Sequence, residues 1–383
     1  MALQLTPTFS AGSFNTAESA SLEITQLPLQ YLHPVATPTL KLLMRFSMMA
    51  TLGPDKKFRG NMIHGANDAW VTGANITVPL TVKDLLSQIN YDPGRVGSHA
   101  AINEEDKADY AGEGSLVDLA EVRGDAMHRS LTEALNYFLF SPFNETGDVD
   151  LDTVTNHFPG VTVSGIEASD ITANRIHSLP QSIRHESTAL GASGIDTRHT
   201  HGNMSTQNSR WNSHVKTYGT VTYADGVGNY RDGIPSAVAS PVLVDETIIT
   251  DLLDDMQIGG EYGLFAACPS KIHSEIRRQL QSQNMGSTSN LMSDLGIDEH
   301  ITYKDYRTTF YVEPQMNTLW PNSMFVWDSE GMILVGSKGF FPFIWGWQTA
   351  DRTNTLYTAE YIRAQLVTVD RRRLGAIHGI VGQ

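Results

Sequence analysis

Residues 176–218 read IHSLPQSIRHESTALGASGIDTRHTHGNMSTQNSRWNSHVKTY, and this segment is the most informative part of the chain. A short apolar phrase that ends near a proline comes first, and the turn Gly194-Ile195-Asp196 follows it. The phrase Arg210-Trp211-Asn212-Ser213 comes next. The residues around these landmarks do not form a catalytic motif of an enzyme. The information in the segment therefore lies in the order of its landmarks.

The composition indicates a folded protein with little affinity for nucleic acid. At 383 residues, of which 40% are hydrophobic, the chain is long enough to form two or three globular units with their own cores. The formal net charge is −15 and the sequence pI is about 5.2. Because phosphate binding requires clustered Lys and Arg, any contact with DNA should be weak.

The cysteine content and the first residues indicate where the protein is made. The single cysteine, Cys268, excludes an intramolecular disulfide and fits a reducing compartment. The N-terminal sequence lacks the basic region and apolar core of a secretory signal. No apolar run approaches the roughly 20 residues that a membrane helix requires. We therefore expect synthesis in the cytosol and no membrane partner.

The first quarter of the chain predicts an arm, a short helix and a long loop. Residues 1–30 are rich in Ser, Thr, Ala and Pro without helical periodicity, which is typical of an extended arm or a floppy tail. Thr37-Pro38 then opens a short apolar helix. Between residues 53 and 82, Gly and Asn turns alternate with single apolar residues, which predicts a hairpin-like excursion. A protruding loop that carries Trp70 and several charged residues should not be stable by itself, so we expect it to lie on a neighbour.

The longest helical pattern follows, with apolar residues recurring at the helical period from residue 116 to residue 138. Ser115 and Asp118 resemble a capping box at its start, and Ser141-Pro142 ends it. This helix would be about 37 Å long, which suits the spine of a flat subunit. Gly124 inside it costs about 1 kcal/mol relative to Ala, which predicts the close approach of another backbone.

The second half of the chain predicts alternating helices and strands. A helix from Asp245, an apolar strand over residues 262–268 and a helix opened by Pro269-Ser270 come in succession. Further strands are expected at residues 301–303, 308–312, 323–327 and 332–335. Residues 357–369 alternate as a long half-buried strand does. The pattern predicts an α+β or α/β unit with a mixed sheet.

The sequence carries no clear catalytic or cofactor motif. Gly336-Ser337-Lys338-Gly339 lacks the spacing of a phosphate-binding loop, and a Gly-x-Ser-x-Gly motif is absent. Cys268 ends an apolar strand, so we expect a buried small side chain rather than a nucleophile. The acidic clusters fit solvated faces and helix ends. We therefore predict neither enzymatic activity nor a cofactor.

Two clusters leave alternatives open. His199, His201 and His214 lie near one another in a Gly- and Asn-rich stretch, so they are either solvated loop residues or part of a metal site that needs further ligands. The run Arg371-Arg372-Arg373 either touches DNA or, more in keeping with an acidic chain, forms ion pairs at an interface.

Taken in order, nearly the whole chain resembles the major capsid protein of tailed phages with the Hong Kong 97 fold. Several segments carry the resemblance in the right order, and the last of them is similar to the basic final strand of the family. These segments are the helix of residues 40–46, the loop of residues 53–82, the spine helix of residues 116–140, the segment of residues 176–218, the helix-strand-helix of residues 243–281, the phrases Glu313-Pro314 and 322–327, and residues 371–380. Residues 79–91 depart from it, because they look more helical than a return strand should, and residues 141–172 resemble an insertion.

The resemblance implies an α+β fold with an N-terminal arm, an extended β-hairpin loop, a peripheral domain with the spine helix, and an axial domain. The corresponding boundaries are 1–50 for the arm and anchor helix, 51–109 for the loop and return strand, 110–225 for the peripheral domain, 226–345 for the axial domain, and 346–383 for a C-terminal strand that returns to the peripheral domain. The residues expected at subunit interfaces are Lys56, Lys57, Phe58, Arg59, Trp70, Arg371, Arg372 and Arg373.

The function implied by the resemblance is that of a structural protein of the virion. It would assemble with itself into hexamers and pentamers of an icosahedral head around double-stranded DNA, inside the host cytoplasm. The expected partners are a separate scaffolding protein, a portal and a possible decoration protein, with DNA in weak contact only. The alternatives are an encapsulin-like compartment shell and a soluble α+β enzyme.

Overall fold

The structure is a computed structural model. It describes residues 37–52, 56–63, 86–103, 113–140, 176–183, 200–201, 204–205, 213–223, 235–256, 263–280, 300–303, 307–349 and 355–383. All statements below refer to these residues.

The described residues form a mixed structure of helices and strands. The helices are α1 (Pro38–Arg45), α2 (Glu113–Phe140), α3 (Leu179–Ser182), α4 (Glu246–Met256), α5 (Ser270–Leu280) and α6 (Met316–Leu319). The strands are β1 (Met48–Ala50), β2 (Phe58–Ile63), β3 (Leu86–Tyr91), β4 (Gly94–Ile102), β5 (Thr200–His201), β6 (Met204–Ser205), β7 (His214–Thr217), β8 (Val221–Tyr223), β9 (Pro235–Val238), β10 (Val242–Leu243), β11 (Leu264–Cys268), β12 (His300–Tyr303), β13 (Thr308–Val312), β14 (Ser323–Asp328), β15 (Met332–Ser337), β16 (Phe343–Thr349), β17 (Leu356–Thr368), β18 (Gly375–His378) and β19 (Ile380–Val381).

A five-stranded sheet is organised around β17, the longest strand. Strands β4, β15 and β16 all pair with β17 in antiparallel fashion, and β1 adds to β15 in parallel. Along β17 the inward positions are apolar or uncharged, apart from Glu360, because the long helix α2 packs across that face of the sheet. The opposite face of β17 carries Tyr361 and Arg363, which are more exposed.

A six-stranded mixed sheet has the order β12-β13-β11-β14-β18-β7. Every residue of β11 and of β14 is buried, as expected for central strands with both faces covered. Helices α4 and α5 cover one face through Ile248, Leu252 and Ile272. The other face contributes Phe265, Phe325 and Trp327 to a second core that also contains α1, α2 and the five-stranded sheet. Because one face of the six-stranded sheet packs into the core that also contains the five-stranded sheet, the two sheets share a hydrophobic core.

The short helix α1 and the long helix α2 meet in this second core. Proline at the first position of α1 fits a helix start, because its missing N–H has no intrahelical partner there. Helix α2 contains 28 residues and is about 42 Å long. It begins at Glu113, two residues before the predicted capping box, and it ends at Phe140, directly before the predicted stop. Leu131, Leu135 and Leu139 lie on its buried side.

Most of the predicted elements are confirmed, and one local helical pattern is misleading. The helices at 246–256 and 270–280, the four predicted strands between 301 and 335 and the long strand of β17 are all present. Residues 86–91, whose sequence looked helical, form the strand β3, because pairing with β2 outweighs local helix propensity. Within the described part of this chain, a Cβ atom at Gly124 would meet no atom within 4 Å, so no other backbone of the same subunit approaches it closely.

Candidate subunit interface

The base of the predicted loop is fixed to the body of the subunit by two aromatic residues. Phe58 in β2 pairs with Tyr91 in β3, and their exposed fractions are 4% and 1%. Ala50, Leu52 and Val335 pack against them. The Tyr91 hydroxyl donates a hydrogen bond to the backbone oxygen of Thr368 at 3.2 Å, and burial raises the pKa of Tyr91. Strands β2 and β3, which flank the predicted loop, are therefore anchored in the body of the subunit.

The charged residues beside this base point to solvent. Lys57 Nζ lies 3.1 Å from Asp92 Oδ1, and both side chains are well exposed, so the pair contributes little to stability. Lys56 has a φ of +61°, a backbone conformation that residues other than glycine adopt infrequently. Arg59 is exposed on β2. These three residues lie at the start of β2, next to the predicted loop, and their side chains are accessible from solvent.

The basic triplet after β17 is used inside the subunit. Arg371 is completely buried, and its Nε donates to the backbone oxygen of Ser182 at 3.0 Å. Arg372 pairs with Asp370 at 2.9 Å. Arg373 Nη1 donates to Asp328 Oδ2 at 2.8 Å and also pairs with Glu330. Phe58 and Arg371 are thus buried within the subunit, and the interface prediction stays a prediction for Lys56, Lys57, Arg59, Trp70, Arg372 and Arg373.

A buried polar cluster lies where α1, α2 and the six-stranded sheet meet. Glu313, which is fully buried, accepts hydrogen bonds from the backbone N–H of Thr39 at 3.1 Å and from its hydroxyl at 2.7 Å. Asn136 Nδ2 donates to the same carboxyl group at 3.1 Å. The Tyr311 hydroxyl lies 2.9 Å from Thr39 Oγ1 and accepts a hydrogen bond from Trp327 Nε1 at 3.1 Å. Burial raises the pKa values of Glu313 and Tyr311.

An exposed aromatic surface lies on the outer side of the five-stranded sheet. Tyr361 is 41% exposed and Trp345 is 40% exposed, and their rings meet edge to face at 5.7 Å. Phe343, directly opposite Tyr361 on β16, contacts the 46% exposed Phe340. Sequence reasoning missed this surface. The closely spaced aromatic residues of Phe343–Thr349 were the available signal, since large aromatic side chains on a predicted strand need a covering partner.

The remaining predicted features are partly outside the described residues. Trp70 and His199 lie outside them, as do the Gly194-Ile195-Asp196 turn and Trp211.

Among the residues that the structure describes, no group of three or more His, Cys, Asp and Glu side chains is placed to hold a metal ion. Burial lowers the pKa of His214, which favours its neutral form. Cys268 is fully buried, as predicted, and burial raises the pKa of its thiol.

No helix in the described part of the chain combines the length and the apolar character that a membrane crossing needs.

Comparison with solved structures decides what the fold is. Models of protein families give no match to this sequence, and curated proteins give none either. The capsid asymmetric unit of cyanophage A-1(L) is similar with a TM-score of 0.56 and 14% identity, over 95% of this chain and 97% of that chain. The chain has a phage capsid fold. The capsid of a native GTA particle is similar over 96% of this chain and 100% of that chain, with a TM-score of 0.52 and 9% identity. The capsid of cyanophage P-SCSP1u matches with a TM-score of 0.50 and 9% identity, over 93% of each chain.

The capsid fold explains why the order of elements was more informative than any motif. At identities of 9% and 14%, few individual residues are shared with these capsid proteins. What is shared is a sequence of helices and strands over almost the whole length. The predicted α+β phage capsid fold is confirmed at this level.

Proposed function

We propose that this chain is the structural major capsid protein of a tailed phage and that it assembles with itself into a closed shell. The observation that carries the proposal is the coverage of the structural match: 95% of this chain and 97% of the cyanophage A-1(L) capsid chain superpose. A match of this extent leaves little of the chain for a separate activity. Shell formation, rather than catalysis, is the role that this fold favours.

The finer features of the proposal come from the sequence. We infer hexamers and pentamers, a head around double-stranded DNA, and localisation in the virion after assembly in the host cytoplasm. A scaffolding protein, a portal and a possible decoration protein are the proposed partners. The net charge of −15 supports weak contact with DNA, because an acidic surface repels the phosphate backbone. The domain boundaries given above remain predictions.

The proposed interfaces combine the predicted loop, the charged residues Lys56, Lys57 and Arg59 next to it, and the N-terminal arm. Phe58 and Tyr91 anchor strands β2 and β3 in the body of the subunit. A neighbour that binds the predicted loop would therefore be held by the whole subunit. Deleting residues 64–85, which begin and end at the paired strands β2 and β3, should leave folded subunits that no longer close into shells. Shells of normal size from this deletion would contradict the role of the loop.

The experiment that tests the function is electron microscopy of particles purified from cells that produce the chain. Closed shells of uniform size support the proposal, and a chain that remains monomeric at high concentration contradicts it. Nuclease-protected DNA and a tail on particles from the natural source distinguish a phage head from an encapsulin-like compartment, which would enclose protein instead. A soluble enzyme would give neither shells nor protected DNA.

A further inference from the structure

Two arginines face each other across the strand pair β4 and β17. Arg95 and Arg363 are direct partners in the antiparallel register, so both side chains leave the same face of the sheet. Arg95 is exposed and Arg363 is half-buried. Opposed like charges at this spacing destabilise a sheet unless a third group neutralises them. The pair is therefore unfavourable in the isolated subunit.

No described residue supplies the missing negative charge. Neither Arg95 nor Arg363 forms an ion pair with a residue in the described part of the chain, and the Nε atom of Arg363 is buried without a hydrogen-bond acceptor. Burial and the charge of Arg95 both lower the pKa of Arg363, and no carboxylate among the described residues raises it. A buried donor without an acceptor is unfavourable, so the site favours an incoming anion.

The arginines continue into the exposed aromatic surface described above. Tyr361 lies two residues before Arg363 on the same face of β17, and its ring lies over Gly97 of β4. A Cβ atom at position 97 would be 2.7 Å from Cδ1 of Tyr361, so only glycine lets the ring lie there undisturbed. The arginine–aromatic face is defined by Arg95, Arg363, Tyr361, Trp345 and Phe343. Arg, Tyr and Trp are the residues that most often dominate protein–protein interfaces.

We propose that the arginine–aromatic face binds a carboxylate-bearing surface of a second copy of this chain. This inference rests on the proposed function, because it assigns one contact within the shell. Charge complementarity selects the occupant: each copy carries 42 acidic against 27 basic residues, so its surface offers an excess of carboxylates. One carboxylate between two guanidinium groups would relieve their repulsion and accept the orphaned Nε–H. Nucleic acid is disfavoured, since two arginines on a chain of net charge −15 give weak phosphate binding.

The symmetry of the contact follows from its charge. If the face met the same face of another copy, four guanidinium groups would approach one another, which is unfavourable. The contact must therefore be heterologous, with the face of one subunit against a different, acidic surface of the next. Heterologous contacts build rings, as an assembly of capsomers requires. Strand β16 places Trp345 at the edge of this sheet, where a neighbour has access to it.

The test compares Arg95→Gln/Arg363→Gln with the wild-type chain. Particle yield is measured by sedimentation and electron microscopy, and the melting temperature is measured on dilute, unassembled chains. We expect the variant to lower the assembled fraction by about tenfold or more, because the incoming carboxylate loses both partners. The unassembled variant should melt at the wild-type temperature or above it, because the repulsion has been removed. Arg95→Lys/Arg363→Lys keeps the charge and should retain part of the assembly.

Arg277→Gln is the matched control, since Arg277 is exposed on α5, outside the arginine–aromatic face. It should assemble as the wild type does. Equal assembly of the double glutamine variant and the wild type overturns the inference, as does a melting temperature several degrees lower, which indicates a role inside the subunit. Normal particles with less bound nucleic acid overturn it in favour of a phosphate ligand. If the wild-type chain forms no particles, it is the proposed function that fails.

Discussion

The side-chain amide of Asn136 donates a hydrogen bond to the carboxyl group of Glu313 across 177 positions of the sequence. Asn136 belongs to the long helix α2, and Glu313 directly follows strand β13 of the six-stranded sheet. Thr39 of α1 donates two further hydrogen bonds to Glu313. A single buried carboxyl group thus ties three elements together, and removing it would leave the Asn136 amide and the Thr39 backbone N–H without this acceptor.

We predict that the stability of this cluster depends on pH. Burial is the main cause that raises the pKa of Glu313, and the hydrogen bonds from Thr39 and Asn136 offset it only in part. The folded state therefore holds the proton more tightly than the unfolded chain does. The stability from the protonated group is complete below the ordinary glutamate pKa of about 4.3, and it is lost as the pH rises through the raised value.

Urea unfolding of unassembled Glu313→Gln and wild-type subunits at pH 4.5 and pH 8 checks this. Because Gln does not titrate, the difference between the two should shift in favour of Gln at pH 8. A shift in favour of the wild type would mean that the carboxylate is ionised and stabilised in the fold. Glu313→Ala should be less stable by about 3 kcal/mol or more at both pH values, since it leaves a cavity and unsatisfied donors.

The long helix should not tolerate a charge on its buried side. Leu131 is 1% exposed and lies in the core between α2 and the five-stranded sheet. Leu131→Asp should lower the free energy of unfolding by about 3–5 kcal/mol, because the carboxylate would be buried without a partner. Ser130→Asp is the control, since Ser130 is exposed one residue earlier. Equal melting temperatures for the two variants would contradict the packing of α2.

Position 124 gives an opposite prediction on the same helix. No described residue lies within 4 Å of a Cβ atom placed on Gly124, so a methyl group has room there. Gly124→Ala should stabilise the subunit by about 0.5–1 kcal/mol, because alanine has the higher helix propensity and a less flexible unfolded state. An increase of a few degrees in the melting temperature would show this. A decrease would indicate that an unseen neighbour contacts the helix at this point.

A fourth prediction concerns the contact between α2 and β17. His128 Nδ1 lies 3.1 Å from Glu360 Oε2, and Glu360 is 1% exposed. The hydrogen bond to Glu360 is the largest cause that raises the pKa of His128, with burial opposing it. The stabilisation is therefore present below the ordinary histidine pKa of about 6.5 and is lost as the pH rises through the raised value.

Thermal unfolding of His128→Gln and the wild type checks this contact. At pH 5.5 the variant should be less stable by about 1 kcal/mol, a modest value because His128 is half-exposed and its charge is screened by solvent. At pH 9 the two should converge. A constant difference at all pH values would mean that His128 contributes by packing rather than by its charge.

Helices and strands could be predicted well from the sequence, whereas contacts between distant residues could not, for a physical reason. Periodicity and turn residues are local signals, so α1, α2, α4, α5 and most strands were found close to their true bounds. The Glu313 cluster and the arginine–aromatic face depend on residues far apart in the sequence, such as Arg95 and Arg363 in β4 and β17. Pairing between strands decides these contacts, and it also overrode the helical pattern of residues 86–91.

The last prediction concerns how mature shells are held together. Some capsid proteins of the resembled family join a loop lysine to an asparagine of a neighbour through an isopeptide bond, and the candidate lysines here are Lys56 and Lys57. Such a reaction requires a neutral lysine, which burial beside a carboxylate provides. Lys57 instead lies largely in solvent beside the exposed Asp92, so the isolated subunit does not provide the burial that the reaction requires.

We therefore predict a shell without covalent cross-links, held by many modest contacts. Purified particles boiled in SDS with reductant should run as a single band near 42.1 kDa. Lys57→Arg, which keeps the charge and removes the nucleophile, should give the same single band and the same yield of particles. A ladder of multiples in the wild type that disappears in Lys57→Arg would show that the lysine reacts after assembly, when a neighbouring subunit buries it and removes its exposure to water.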